Sequence, residues 1–147
     1  VKILSLWQPH ATLAIVGAKP WETRSWPLGK TPQRIGIHAS KNPTDLLLLF
    51  TAARWYEALE RAGFKHSGAL PLGALIGTVL VVGCRPTGSF VPGELEGDAA
   101  TFGDFSPDRF AWELKDPVGF DPIPMRGKQG LWEMPAEVLA RIPECAR

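Results

Sequence analysis

The run Ala74-Leu75-Ile76-Gly77-Thr78-Val79-Leu80-Val81-Val82-Gly83-Cys84 carries no charge and is bounded by Gly73 and Pro86. A stretch this rich in Ile, Leu and Val, closed by Gly and Pro, is expected to be a central, well-buried strand. The rest of the chain has to be built around it. Lys2–Leu6 reads as a first strand. His10–Val16 reads as a short helix, starting after Pro9 and stopped by Gly17. Trp21–Ser25 suits an extended segment, and Pro27, Gly29 and Pro32 punctuate a loop. Arg34–Ala39 alternates into Ile35, Ile37 and Ala39 as a second strand. Thr44–Ala62 is the longest helical pattern: Leu46, Leu47, Phe50, Ala53 and Leu59 fall near helical spacing, Asn42-Pro43-Thr44 starts it and Gly63 stops it. Residues 85–108 form a long irregular excursion, a kind of loop that is often functional. Arg109–Lys115 alternates Phe110, Trp112 and Leu114 as another strand, and Pro117–Pro124 is extended. Leu131–Met134 is a last strand, with a terminal helix from Glu137. Short strands, frequent Gly and Pro and one inserted long helix predict an α+β, mainly β architecture: a small barrel of about five or six strands decorated by helices. Helices do not alternate regularly with strands, which argues against a doubly wound parallel sheet.

The whole chain, residues 1–147, is expected to form a single domain. Its hydrophobic content of 45% and net charge of +1 argue against disorder. At this length about two thirds of the unfolded surface can be buried, so no disulfide is needed. No apolar run approaches the roughly 18 residues of a membrane span. The opening Val1-Lys2-Ile3-Leu4-Ser5-Leu6-Trp7 reads as a strand rather than a secretory signal. Cys84 and Cys145 have no metal-ligand spacing; Cys84 is expected to be buried and Cys145 to be mobile, and the expected compartment is the cytoplasm. Charge is distributed unevenly. Up to Lys41 there are six basic residues and one acid, Glu22; between Arg85 and Asp116 there are three basic residues and seven acids. A basic half attracts anions such as phosphate even in a near-neutral chain.

No phosphate-loop lysine motif, dinucleotide glycine fingerprint or Gly-x-Ser-x-Gly elbow occurs. His10, His38 and His66 are too far apart for a local zinc motif, so neither metal nor cofactor is implied. The informative segment is Gly17-Ala18-Lys19-Pro20-Trp21-Glu22-Thr23-Arg24-Ser25-Trp26-Pro27. In an extended stretch Glu22 and Arg24 share one face, and Trp21 and Thr23 the other. Lys19 and Arg24 suit phosphate, Trp21 suits a stacked base, and Glu22 suits the donors of a base edge. The same residues also read as a Glu22–Arg24 ion pair bracing the strand, with Trp21 and Trp26 in the core. His38, Ser40 and Lys41, at the end of a strand, and Arg126 and Lys128, around Gly127, are further candidate binding residues.

Several patches in order resemble the ASCH domain (activating signal cointegrator homology) of the PUA-like superfamily. They are Leu4-Ser5-Leu6-Trp7-Gln8-Pro9, Gly17-Ala18-Lys19 with Glu22-Thr23-Arg24, Ile35–Lys41, Gly73–Val79 and Gly127-Lys128-Gln129-Gly130-Leu131-Trp132. The most specific is the Gly-x-Lys-x-x-Glu-x-Arg element in its Gln-Pro context. The resemblance covers most of the chain apart from residues 44–62 and 85–108. It implies a PUA-like β-barrel with a cleft between barrel and helices, lined by Lys19, Glu22 and Arg24, and a role in RNA binding or nucleotide chemistry. Two departures stand out. His10 replaces the tryptophan that follows Gln-Pro in many relatives. Some small ASCH proteins hydrolyse acetylated cytidine with a Lys, Thr and Glu set whose Thr lies three residues after the Lys; here that position is Glu22, and Thr23 is expected on the opposite face. The third acid is unassigned, with Glu94 and Glu96 in the corresponding region.

The expected function is binding of RNA or a nucleotide, including one with a modified base, through a basic, Trp-lined cleft. The alternative is a hydrolase acting on an acylated nucleoside such as acetylated cytidine, or on RNA, with Lys19 and Glu22 as catalytic pair. A third reading is an interaction domain without a small ligand, which would show a sizeable apolar patch.

Overall fold

Gly77 and Gly119 stand opposite each other in neighbouring strands, and a Cβ on either would meet Ile15 of the first helix, at 2.7 and 3.0 Å. Their missing side chains let that helix seat directly on the sheet, and the helix carries one wall of the cleft described below. The computed structural model describes residues 1–42 and 53–147. Its strands are β1 (Lys2–Leu6), β2 (Trp21–Arg24), β3 (Gln33–Ala39), β4 (Ala74–Pro86), β5 (Phe110–Pro124) and β6 (Leu131–Glu133); its helices are α1 (His10–Ile15), α2 (Ala53–Arg61), α3 (Asp98–Thr101) and α4 (Ala136–Leu139).

The strands form one curled half-barrel sheet in the order β2-β5-β4-β3-β1-β6. β1 and β3 run parallel; the other neighbours are antiparallel. The expected α+β, mainly β class with about five or six strands matches this six-stranded architecture. The Ala74–Cys84 run is the heart of β4, between β3 and β5. The segments expected separately at Arg109–Lys115 and Pro117–Pro124 are one strand, with Asp116 at positive φ where the register with β4 shifts. Proline is tolerated there because bulges break the ladder. Of the helix expected over Thr44–Ala62, Ala53–Arg61 is seen; its expected start, Asn42-Pro43-Thr44, lies largely outside the described residues.

Alternation sorts the sheet residues into two cores. Leu4, Leu6, Ile35, Ile37, Val79, Val81 and Trp112 pack on one face with Ala11 and Ala14 of α1. Ile3, Leu75, Ile123 and Trp132 pack on the other with Met134, Val138 and Ile142. A third cluster joins Leu13 of α1 to Ala58, Leu59 and Phe102, which fastens the excursion to the helices. Cys84, expected to be buried, is half-buried, and its Sγ accepts the Leu28 N–H at 3.3 Å. Cys145 is exposed. Among the described residues no helix is long and apolar enough to cross a membrane.

A candidate nucleic-acid cleft at the ends of the parallel strands

Gly17, at φ +78°, ends α1 in the left-handed conformation that glycine adopts without a steric penalty. The chain turns back, the Lys19 amide donates to the Leu13 carbonyl, and Lys19 projects beneath the helix beside His10. Gln8, fully buried, secures the other end. Its Nε2 donates to the Pro71 carbonyl at 2.8 Å, and its Oε1 accepts the Thr12 amide at 3.1 Å. The start of α1, Lys19 and β2 thereby face the C-terminal ends of β1 and β3 across a cleft of about 1610 Å³.

Eight of the nine candidate binding residues line this cleft: Lys19, Glu22, Arg24, His38, Ser40, Lys41, Arg126 and Lys128. Trp21 does not. On edge strand β2 it stacks edge-on against Phe90 and under the Arg85 guanidinium, on the side away from Glu22, as strand alternation dictates. The tryptophan on the cleft is Trp7, 47% exposed. Its sequence signal is its place two residues beyond Ser5 at the end of β1, where alternation puts both on one face. Ser5, His10, Asp104 and Arg109, none of them marked as a binding residue by local sequence pattern, also line the cleft.

The Lys19–Glu22–Arg24 cluster is buried at its base rather than displayed at the rim. Lys19 Nζ lies 2.9 Å from Glu22 Oε2, 2.6 Å from the Phe102 carbonyl and 3.2 Å from His10 Nδ1. Three acceptors occupy the three donors of an ammonium. Arg24 reaches Glu22 Oε1 only at 3.5 Å, so the principal partner of Glu22 is Lys19, not the Arg24 expected from strand geometry. Burial, reinforced by the Lys19 charge, holds His10 down to a pKa of about 4, so the ring is neutral at pH 7. Its edge meets Trp55.

The excursion closes the cleft over β2. The Asp104 amide donates to Thr23 Oγ1 at 3.0 Å, and Arg109 donates to the Thr23 carbonyl at 3.1 Å while pairing with Asp104. Thr23, expected to face away from Glu22, therefore also lines the cleft. Hydrogen bonds from Ser106 hold the Asp104 carboxyl below its ordinary pKa. Glu94 pairs with Arg85, and neither Glu94 nor Glu96 is among the lining residues; Asp104 is the acid the excursion supplies. The acidic stretch is largely taken up by arginines, Asp98 pairing with Arg54 and Arg61 and Asp116 with Arg34. Lys41, Arg126 and Lys128 have no carboxylate partner among the described residues, and Lys128 rests over the Trp132 ring. Among the described residues no His, Cys, Asp and Glu cluster is arranged to hold a metal.

The fold has solved counterparts. ASCH from Zymomonas mobilis superposes with a TM-score of 0.56 at 16% identity, covering 95% of this chain and 90% of that one. A tyrosine-to-phenylalanine mutant and a serine-to-alanine mutant of the same protein superpose with the same TM-score and identity, covering 95% of this chain and 94% and 92% of theirs. No protein-family model and no curated protein matches the sequence. The chain thus has the fold of these ASCH structures, α+β and mainly strand.

Proposed function

We propose that the cleft binds RNA or a nucleotide, chiefly through phosphate. The observation that carries this reading is the set Lys41, Arg126 and Lys128: three cations on one cleft, none with a carboxylate partner among the described residues. Grouped cations without counter-charges favour an anionic ligand that neutralises several of them together. A volume of about 1610 Å³ exceeds the roughly 300–1,000 Å³ of ordinary small-molecule pockets, which suits a strand better than a lone metabolite. The ASCH resemblance implies the same ligand class. Titration of a short single-stranded RNA at two ionic strengths tests the proposal. Binding should weaken steeply with salt, since each neutralised phosphate releases counterions. Affinity indifferent to salt, or no binding at low salt, would remove its basis.

A second reading, hydrolysis of an acylated nucleoside, is favoured by the contact of Lys19, Glu22 and His10 at the base of the cleft. Against it stand the glutamate at the position expected for threonine and the full set of acceptors around the Lys19 ammonium. Turnover of acetylated cytidine that disappears in Glu22→Gln while binding persists would establish it.

A further inference from the structure

We propose that the cleft takes an unpaired nucleobase, its ring against Trp7 and its hydrogen-bonding edge on Ser5 and His38. The inference rests on the nucleotide-binding reading and assigns the base-recognising groups of that site.

Ser5 on β1 and Trp7 just beyond its end alternate onto one face, as do His38 on β3 and Ser40 just beyond its end. Ser5 stands opposite His38 in the parallel register, and all four residues line the cleft. Two of their polar atoms, Ser5 Oγ and His38 Nδ1, are buried with no hydrogen-bond partner among the described residues. His38 Nε2 lies 3.1 Å from the Met125 carbonyl. A carbonyl can only accept, so Nε2 carries the proton, and Nδ1 of the neutral ring is a bare acceptor. Burial, which lowers the His38 pKa, keeps it neutral.

The pair therefore calls for a ligand with an N–H donor beside an acceptor, the donor meeting Nδ1 and the acceptor taking the serine O–H. Nucleobase edges carry this arrangement. Phosphate oxygens, which only accept, leave Nδ1 unsatisfied. An unpaired buried polar atom is costly, so a ligand supplying both partners is favoured there. The Gly127 main chain lies over the pair: a Cβ there would stand 2.7 Å from Nδ1 and 3.0 Å from Ser5 Oγ. Residues 125–130 form no helix or strand, so seating a base shifts this stretch, which also carries Arg126 and Lys128. Trp7, with nearly half its surface free, offers a stacking platform at the mouth.

Fluorescence anisotropy with labelled RNA pentamers (uridylate, cytidylate, adenylate and an abasic pentamer) tests the proposal on wild type, Ser5→Ala, Trp7→Ala and Trp7→Phe. At least one base-bearing pentamer should bind about tenfold more tightly than the abasic one. Ser5→Ala and Trp7→Ala should each weaken that pentamer by about fivefold or more while leaving the abasic affinity unchanged, which also shows that the variants are folded. Trp7→Phe should restore part of the loss. Equal affinity for base-bearing and abasic pentamers, or variants that bind the favoured pentamer like wild type, overturn the base subsite and leave phosphate binding standing. Absence of binding by every pentamer at low salt overturns both.

Discussion

The ammonium of Lys19 lies 2.9 Å from Oε2 of Glu22, with 3% and 6% of the two side chains exposed. Removing one partner strands the other charge out of water. Glu22→Gln and Lys19→Ala should each cost about 3–5 kcal/mol, and Lys19→Met with Glu22→Leu much less than the sum. Urea denaturation of the single and double variants measures this. Single variants within about 0.5 kcal/mol of wild type would contradict the buried pair.

Stability should fall as the solution is acidified through the titration of His10. In the folded protein its pKa is lowered from 6.5 to about 4. The unfolded chain thus takes up a proton first as pH drops, and the contribution, fully present above 6.5, is lost on the way down to about 4. The span corresponds to roughly 3 kcal/mol. His10→Gln, which keeps an acceptor for Lys19, should show a shallower loss between pH 7 and 4.5 in denaturant titrations. Identical slopes would remove His10 as the cause.

Neutralising the cleft cations should affect binding and spare the fold. Lys41→Ala, Arg126→Ala and Lys128→Ala should each leave stability within about 0.5 kcal/mol. Each should lower the slope of log affinity against log salt by about one. Paired cations should behave differently: Arg34→Ala loses the Asp116 pair on the sheet and should leave RNA affinity unchanged. A full slope in all three cleft variants would place the phosphates elsewhere.

Trp21→Ala should leave RNA affinity within about twofold, because the indole packs on Phe90 and Arg85 outside the cleft, although its loss should lower the melting temperature. Trp7→Ala should do the reverse, weakening binding with little effect on melting. Paired titrations and thermal melts of the two variants decide between the tryptophans.

Local pattern by itself determined much of this protein. The apolar run at 74–84 and the alternation at 34–39 marked strands, because burial of a pleated face leaves a period of two in the sequence. The bends at Gly17 and Pro9 marked α1. Apart from Trp21, the residues singled out around Lys19, His38 and Arg126 lie on one cleft although more than a hundred positions separate the first from the last. Tertiary structure decided the rest. Alternation tells which residues share a face but not which face is covered, so Trp21 and Trp7 could be assigned only once β2 had paired with β5 and β1 with β3. The partner of Glu22 likewise depended on α1 docking against Gly77 and Gly119, which brings Lys19 closer than the neighbouring Arg24. The near-neutral net charge concealed the cleft's cations, because arginines elsewhere take up many of the acids. These outcomes are set by contacts between residues far apart in the chain, and no local window contains both partners.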